Sequence, residues 1–273
     1  MGHNMIEEFN YKDLIGSTLY LKNIPYYTID NIIDLENNYY RLYFSDINNH
    51  SPSNSTVFSL EELMRIYNDY LIRQERNKIL KEKHINRIVH FTKVDNLENI
   101  FEYGLCSIEL LNLLDIYYSP SDLYRLDGKP DKICTSISFP NYKMFYKKRM
   151  EDISVDWVVI TIKPELIVDK LDSEFYIDNA ARGMYPHSLK PTANKDLERM
   201  FHASNRVPYI PSYYTTNPQA EILINNNIPT GYFMNVETNE NNPKVKSLTR
   251  DARVDYNPNS RLFDPRSDYF RWQ

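Results

Sequence analysis

Glu221 stands in Asn217-Pro218-Gln219-Ala220-Glu221-Ile222-Leu223-Ile224, where apolar neighbours would bury a carboxylate that is costly to leave unpaired. A carboxylate in such a strand can hydrogen-bond a substrate hydroxyl and offset a developing positive charge; an edge-strand Glu facing water is the other reading. Gln219 shares its face if the strand extends that far. The segment before it, Arg206 to Thr216, is a loop rich in Pro and Tyr. A second set is Ile88-Val89-His90-Phe91-Thr92-Lys93-Val94-Asp95-Asn96. In a strand His90 and Thr92 point the same way, and Asn96 follows at the start of a helix. An imidazole, a hydroxyl and an amide converging there can bind a ribose or a carboxamide, although a lone His90 also reads as a half-buried ring satisfied by backbone. A third set runs from Cys134 to Arg149. Alternation puts Ser136 and Ser138 on one face of a strand that ends at Pro140. The next helix interleaves Tyr142, Phe145 and Tyr146 with Lys147, Lys148 and Arg149. That pattern can stack bases and contact phosphates, or can equally form an amphipathic helix with a solvated basic face. Arg125, in Tyr124-Arg125-Leu126-Asp127-Gly128, supplies one more cation.

These residues need elements to position them. Strands are predicted at 18–22, 26–35, 39–45 and 56–58, followed by a capping box from Ser59 to Glu62 that opens a helix running into the 70s and beyond. The next unit starts near Arg87, with a strand at 88–92, a cap signal at Asp95 and Glu98, and Gly104 placed to end the helix. Further strands are expected at 133–138, 157–162, 220–224 and 232–236, and helices at 108–114, 141–150 and 195–202. Strands and helices mix without βαβ regularity, so the class is α+β. From about Glu237 the chain is polar and weakly periodic, which predicts a surface-lying or partly mobile tail. The domains are read as 1–84, a small β-rich accessory module with a connecting helix, and 85–273, the chemical unit.

Composition narrows the chemistry. A net charge of −5 argues against a protein that coats nucleic acid over its whole surface, yet leaves room for a local basic groove. With 6 glycines the chain has no G-x-G-x-x-G and no P-loop, and it also lacks H-E-x-x-H and G-x-S-x-G. Cys106 and Cys134 are too few for a disulfide framework or a zinc site and read as buried free thiols. No apolar stretch approaches the ~20 residues that span a bilayer. The first residues lack a signal-peptide layout, so a cytoplasmic protein without membrane association is expected.

Four segments, in order, resemble the DarT family, bacterial toxins that ADP-ribosylate bases in single-stranded DNA, and most of all its guanine-modifying branch. They are His90-Phe91-Thr92 through Asn96 with Gly104-Leu105; Arg125-Leu126-Asp127-Gly128; Ser136-Ile137-Ser138-Phe139-Pro140-Asn141-Tyr142-Lys143-Met144-Phe145; and Asn217-Pro218-Gln219-Ala220-Glu221-Ile222-Leu223. The resemblance covers roughly Arg87 to Tyr232. It implies an ADP-ribosyltransferase-like split β-sheet domain that uses NAD as co-substrate and no metal. It makes Glu221 the catalytic carboxylate and Arg125 the catalytic-site arginine, with Arg149 the next candidate. His90, Thr92, Asn96, Ser136, Ser138 and Arg149 fall on the NAD side. Asn217, Gln219, Tyr209, Tyr213, Tyr214, Tyr142, Lys147 and Lys148 fall on the side of single-stranded nucleic acid. Asn217 stands where the family prefers Asp. The resemblance further implies a toxin of a toxin–antitoxin or phage-defence system, neutralised by an antitoxin such as a macrodomain ADP-ribosylhydrolase. RNA or a protein side chain as acceptor, and a nucleic-acid-binding module without catalysis, are the rival readings.

Overall fold

The computed structural model describes residues 9–21, 24–47, 54–120, 128–182, 192–202 and 206–271. Residues up to Lys78, joined by Ile167–Leu171, form one compact unit, and the rest forms a second. The first unit therefore stops short of residue 84 and takes in a stretch from much later in the chain.

In the first unit β1 (Thr18–Leu21), β2 (Ile24–Asp34), β3 (Tyr39–Asp46) and β4 (Asn54–Ser59) form an antiparallel meander in chain order. Glu36, Asn37 and Asn38 turn β2 into β3 with φ of 72°, 51° and 63°, a region that Asn tolerates better than most residues. Ser59 N donates to Glu62 Oε2 at 2.8 Å and Glu62 N donates back to Ser59 Oγ at 3.3 Å. This capping box opens α1 (Leu60–Glu82). Leu19, Ile29, Ile32, Leu42 and Phe44 of the sheet pack with Leu63 of α1. Arg73 and Arg76 are buried, and their guanidinium groups donate to main-chain carbonyls of the joined stretch, Asp169 at 3.0 Å, Lys170 at 3.1 Å and Leu171 at 3.0 Å among them. Burial of these cations is thus matched by directed acceptors.

The second unit contains, in order, β5 (Ile88–Lys93), α2 (Leu97–Tyr103), β6 (Leu105–Cys106), α3 (Ile108–Leu113), β7 (Lys132–Ile137), α4 (Tyr142–Glu151) and β8 (Trp157–Ile162). After α5 (Leu166–Asp169), which mostly belongs to the joined stretch, come β9 (Glu174–Tyr176), α6 (Asn194–Arg199), β10 (Glu221–Asn225), β11 (Asn227–Ile228), β12 (Phe233–Glu237), α7 (Pro243–Ala252) and β13 (Asp255–Asn257). Seven strands make one sheet in the order β13-β12-β8-β5-β7-β10-β9. Neighbours are antiparallel except β12 and β13. The fold is α+β.

β8, Trp157-Val158-Val159-Ile160-Thr161-Ile162, is buried at every position, as a strand covered on both faces must be. β5 pairs with β8 along its whole length, but with β7 only through Ile88↔Ile137 and Val89↔Ser136. Beyond those pairs β7 turns to β10, so the sheet is split between β5 and β7.

Two expectations change here. The segment after Glu237 is not a loose tail: it supplies α7 and β13, and Leu262 and Phe263 join Val89, Phe145 and Trp157 in a core cluster. Their burial falls in short turns, where neither helical nor strand periodicity can announce it. The cap before α2 is also different. Asn96 occupies the cap position without a side-chain cap bond, and Asp95 pairs with Lys244 at 3.1 Å.

Candidate active-site cleft

The split in the sheet opens into a cleft of about 370 Å³, within the size range of small-molecule sites. His90, Thr92, Ser136 and Glu221 all line it, together with Lys147 and Lys148 of α4. The His-Phe-Thr strand and the Gln-Ala-Glu segment, 131 residues apart between His90 and Glu221 by numbering (221 − 90), thus meet on one cavity.

Each side chain has a local reason for its position. His90 Nδ1 lies 2.8 Å from the Cys134 carbonyl. A carbonyl oxygen only accepts, so Nδ1 carries the proton; the imidazole spans the gap where the backbone ladder between β5 and β7 has ended. Thr92 is 3% exposed, and its Oγ1 accepts from Asn96 Nδ2 at 2.9 Å. The Asn96 amide also donates to Ser119 O and accepts from Ser119 N, at 2.9 and 2.7 Å. Asn96 thereby pins the segment from Tyr117 to Pro120 that forms another wall of the cleft. Gly104 ends α2 with φ +82°, and a Cβ there would meet Ile228 O at 2.7 Å. The position admits no larger residue without a backbone shift.

Glu221 is 6% exposed. Asn179 Nδ2 donates to its Oε1 at 3.2 Å and the Ala180 backbone N–H donates to Oε2 at 3.0 Å, so both oxygens are held at the cleft wall. Asn141 is 2% exposed; its Oδ1 caps α4 through Met144 N, whereas its Nδ2 has no hydrogen-bond partner among the described residues. Asn141 and Asn179 both line the cleft. Neither is named as a site residue from the sequence: Asn179 sits in an aperiodic turn, and Asn141, although it falls in the quoted Ser136 to Phe145 segment, reads there only as the start of the helix at 141–150.

Farther along the same strands, Lys132, which also lines the cleft, pairs with Glu174 at 3.2 Å. Lys129 bonds both Glu174 and the Tyr176 hydroxyl. Burial would raise the Glu174 pKa, but hydrogen bonds from Lys129 and Tyr176 and the Lys132 charge outweigh it and hold the carboxyl below its ordinary value.

Other residues named from the sequence lie elsewhere. Ser138 does not share a face with Ser136, because β7 ends at Ile137 and Ser138 turns at φ +61°, fully buried. Arg149 does not line the cleft. Its Nη2 donates to Phe263 O at 2.7 Å and its guanidinium lies over the Phe145 and Phe263 rings; burial lowers its pKa. Gln219 and Asn217 belong to a turn before β10, not to the strand, with Gln219 N donating to Asn217 Oδ1 at 2.9 Å. Tyr214 packs edge-on against Phe139, with Tyr213 edge-on to it in turn, and burial raises its pKa. Tyr142 is half-buried, its pKa pushed up to about 12 by burial and then by the Asp268 charge. Tyr209 is exposed. Arg125 lies outside the described residues. Among the described residues no group of three or more His, Cys, Asp and Glu is placed to hold a metal ion, and no helix is long and apolar enough to cross a membrane.

The family profile described as "ssDNA thymidine ADP-ribosyltransferase, DarT" matches residues 89–262, a span that contains the whole cleft described above. No curated protein matches the chain. Among solved structures, Thermosipho africanus DarTG in complex with ADP-ribose is similar at 15% identity and a TM-score of 0.43, over 65% of this chain and 51% of that one. The chain therefore spans about half the length of that protein. Thermus sp. 2.9 DarT in complex with NAD+ is 13% identical, with a TM-score of 0.44, over 66% of this chain and 98% of that one. The same Thermus protein in complex with ADP-ribosylated ssDNA gives 12% identity and 0.45, over 66% and 97%.

Proposed function

The chain belongs to the DarT family of ssDNA thymidine ADP-ribosyltransferases, and from that premise we propose that it transfers ADP-ribose from NAD to a base of single-stranded DNA in the cleft between β5 and β7. The observation that carries this reading is the convergence of His90 and Glu221 on one cavity, with the carboxylate fixed by Asn179 and Ala180.

In the reaction the bond between the nicotinamide nitrogen and the ribose anomeric carbon breaks through an oxocarbenium-like state, as in glycoside chemistry. A bond forms from that carbon to a nitrogen of the base, the base loses a proton, and nicotinamide leaves. Glu221 hydrogen-bonds the ribose 2′-hydroxyl and offsets the positive charge; it is also placed to take the proton. The His90 ring and the hydroxyl of Ser136 hold the ribose, and Asn141 Nδ2 donates to a polar group of the dinucleotide. Arg125 is assigned to the pyrophosphate. An acceptor base must leave its stack to reach such a pocket, which favours single strands.

For the acceptor base, the short motifs quoted above favour guanine, whereas the family's description names thymidine. The same reading makes the chain a toxin of a toxin–antitoxin or phage-defence pair, restrained by a partner able to remove ADP-ribose, such as a macrodomain hydrolase.

Mass spectrometry of single-stranded DNA, RNA and a carrier protein after exposure to the enzyme and NAD tests the assignment. The expected product is ADP-ribose on DNA, and oligonucleotides of one base each identify the acceptor. Glu221→Ala should lower transfer about 10²–10³-fold, the cost of losing a preorganised electrostatic partner, with the circular dichroism spectrum unchanged. Transfer at the wild-type rate by this variant would refute the role of Glu221, and label on protein alone would refute the acceptor class.

A further inference from the structure

The described chain closes on the exposed turn Tyr269-Phe270-Arg271, and a buried ion pair holds that turn in place. Arg266 and Asp268 are 2% and 0% exposed. Arg266 Nε and Nη2 each donate to an Asp268 carboxylate oxygen at 2.6 Å, while Nη1 donates to Thr215 O at 2.9 Å and Nη2 to Thr216 O at 3.3 Å. A buried pair of this kind is weak evidence for stability, because desolvation offsets the attraction. Its directed bonds do fix one segment against another. Here they fix the end of the Tyr-rich loop that leads into β10 and Glu221 against the terminal turn. The Tyr142 hydroxyl adds a bond to Tyr269 O at 3.3 Å, and Tyr142 directly follows Asn141 of the cleft wall.

This frame displays aromatic rings to solvent. Tyr209, Tyr269 and Phe270 are 57%, 45% and 56% exposed. The Tyr209 and Phe270 rings are nearly parallel, 19° apart in orientation with centroids at 6.4 Å, and Tyr269 stands edge-on to Phe270. Clustered exposed rings on a rigid support mark an interaction surface. Arg271 beside Phe270 is an exposed cation. Flat π-faces combined with positive charge suit unstacked bases joined by phosphates, without preference for sequence.

We propose that Tyr209, Tyr269 and Phe270 form a stacking platform for nucleotides flanking the acceptor base of a single DNA strand, continuing the cleft past Tyr142. This inference rests on the single-stranded DNA reading above and adds the C-terminal rings to it.

The full chain carrying Tyr269→Ala, Phe270→Ala or Phe270→Trp would be compared with wild type in two assays. One is anisotropy of a fluorescent oligonucleotide of about twelve residues; the other is transfer to that strand and to a trinucleotide. Each alanine variant should weaken binding of the longer strand about tenfold, the scale of one base–aromatic stack. Transfer to the trinucleotide and the KM for NAD should stay unchanged, and Phe270→Trp should bind as wild type does. Wild-type affinity in the alanine variants, equal losses on both strands, or a change of oligomeric state on gel filtration without loss of DNA binding would overturn the platform. Binding that responds as expected without any transfer by the wild-type chain would leave the platform standing and sink the transferase reading. Transfer with unaltered binding in the variants would do the reverse.

Discussion

The Glu221 carboxylate has its two oxygens engaged from the same turn, one by the Asn179 amide and one by the Ala180 N–H. Those bonds leave the carboxylate few orientations, and a reacting geometry displaced by about 1 Å can cost a hundredfold in rate. On the proposed reading of Glu221, Asn179 is a positioning residue. Asn179→Ala should lower kcat roughly ten- to a hundredfold while KM for NAD changes little, because orientation in the transition state is lost and not the donor's binding. Asn179→Asp places a like charge beside Glu221, which raises the pKa of the pair and should move the acidic limb of the pH–rate profile to higher pH. Steady-state kinetics across pH separates this role from a merely structural one, which would leave the profile in place. His90, Thr92, Ser136 and Glu221 were legible in the sequence because a polar residue in an apolar strand needs a reason. Asn179 was not, since an Asn in a turn is ordinary and its partner lies 42 positions away.

Strands and helices of the second unit were largely legible, as long as periodicity carried the signal: β8 was read with its exact bounds at 157–162. What periodicity could not show was the buried ionic end of β7, β9 and β10, built from Lys129, Lys132 and Glu174. Lys132 and Glu174 look in sequence like surface charges, and only the register Leu223↔Glu174 and Asn225↔Lys132 brings them to one spot. Glu174 is 0% exposed, and its folded pKa lies below the ordinary 4.5. A depressed carboxyl contributes stability that is complete above the unfolded value and is lost as pH falls through the folded one. The loss from Glu174 thus belongs to the window below about pH 4.5. Glu174→Gln should destabilise the chain at neutral pH by about 3 kcal/mol, the scale for breaking a buried pair, and flatten the fall in stability in that acid window. Thermal unfolding from pH 7 to 3 checks both; parallel curves for the two proteins would exclude this role for the carboxyl.

Over the whole molecule the net charge of −5 opposes the approach of a polyanion, so a DNA strand must be held by charge gathered in one place. Lys147 and Lys148 line the cleft, the former exposed and the latter paired with Glu151 at 3.3 Å. Each phosphate neutralised by such a cation releases condensed counterions, and for a single strand the logarithm of the binding constant then falls with that of salt by about 0.7 per contact. Two contacts imply a slope of about −1.4 (2 × 0.7), made shallower to the extent that salt also screens repulsion from the net negative surface. Lys147→Ala should make the slope shallower by about 0.7. Anisotropy titrations between roughly 50 and 200 mM salt measure it directly. A flat response in the wild-type chain would mean that the cations at the cleft contact no phosphate, and would force the acceptor strand onto some other face.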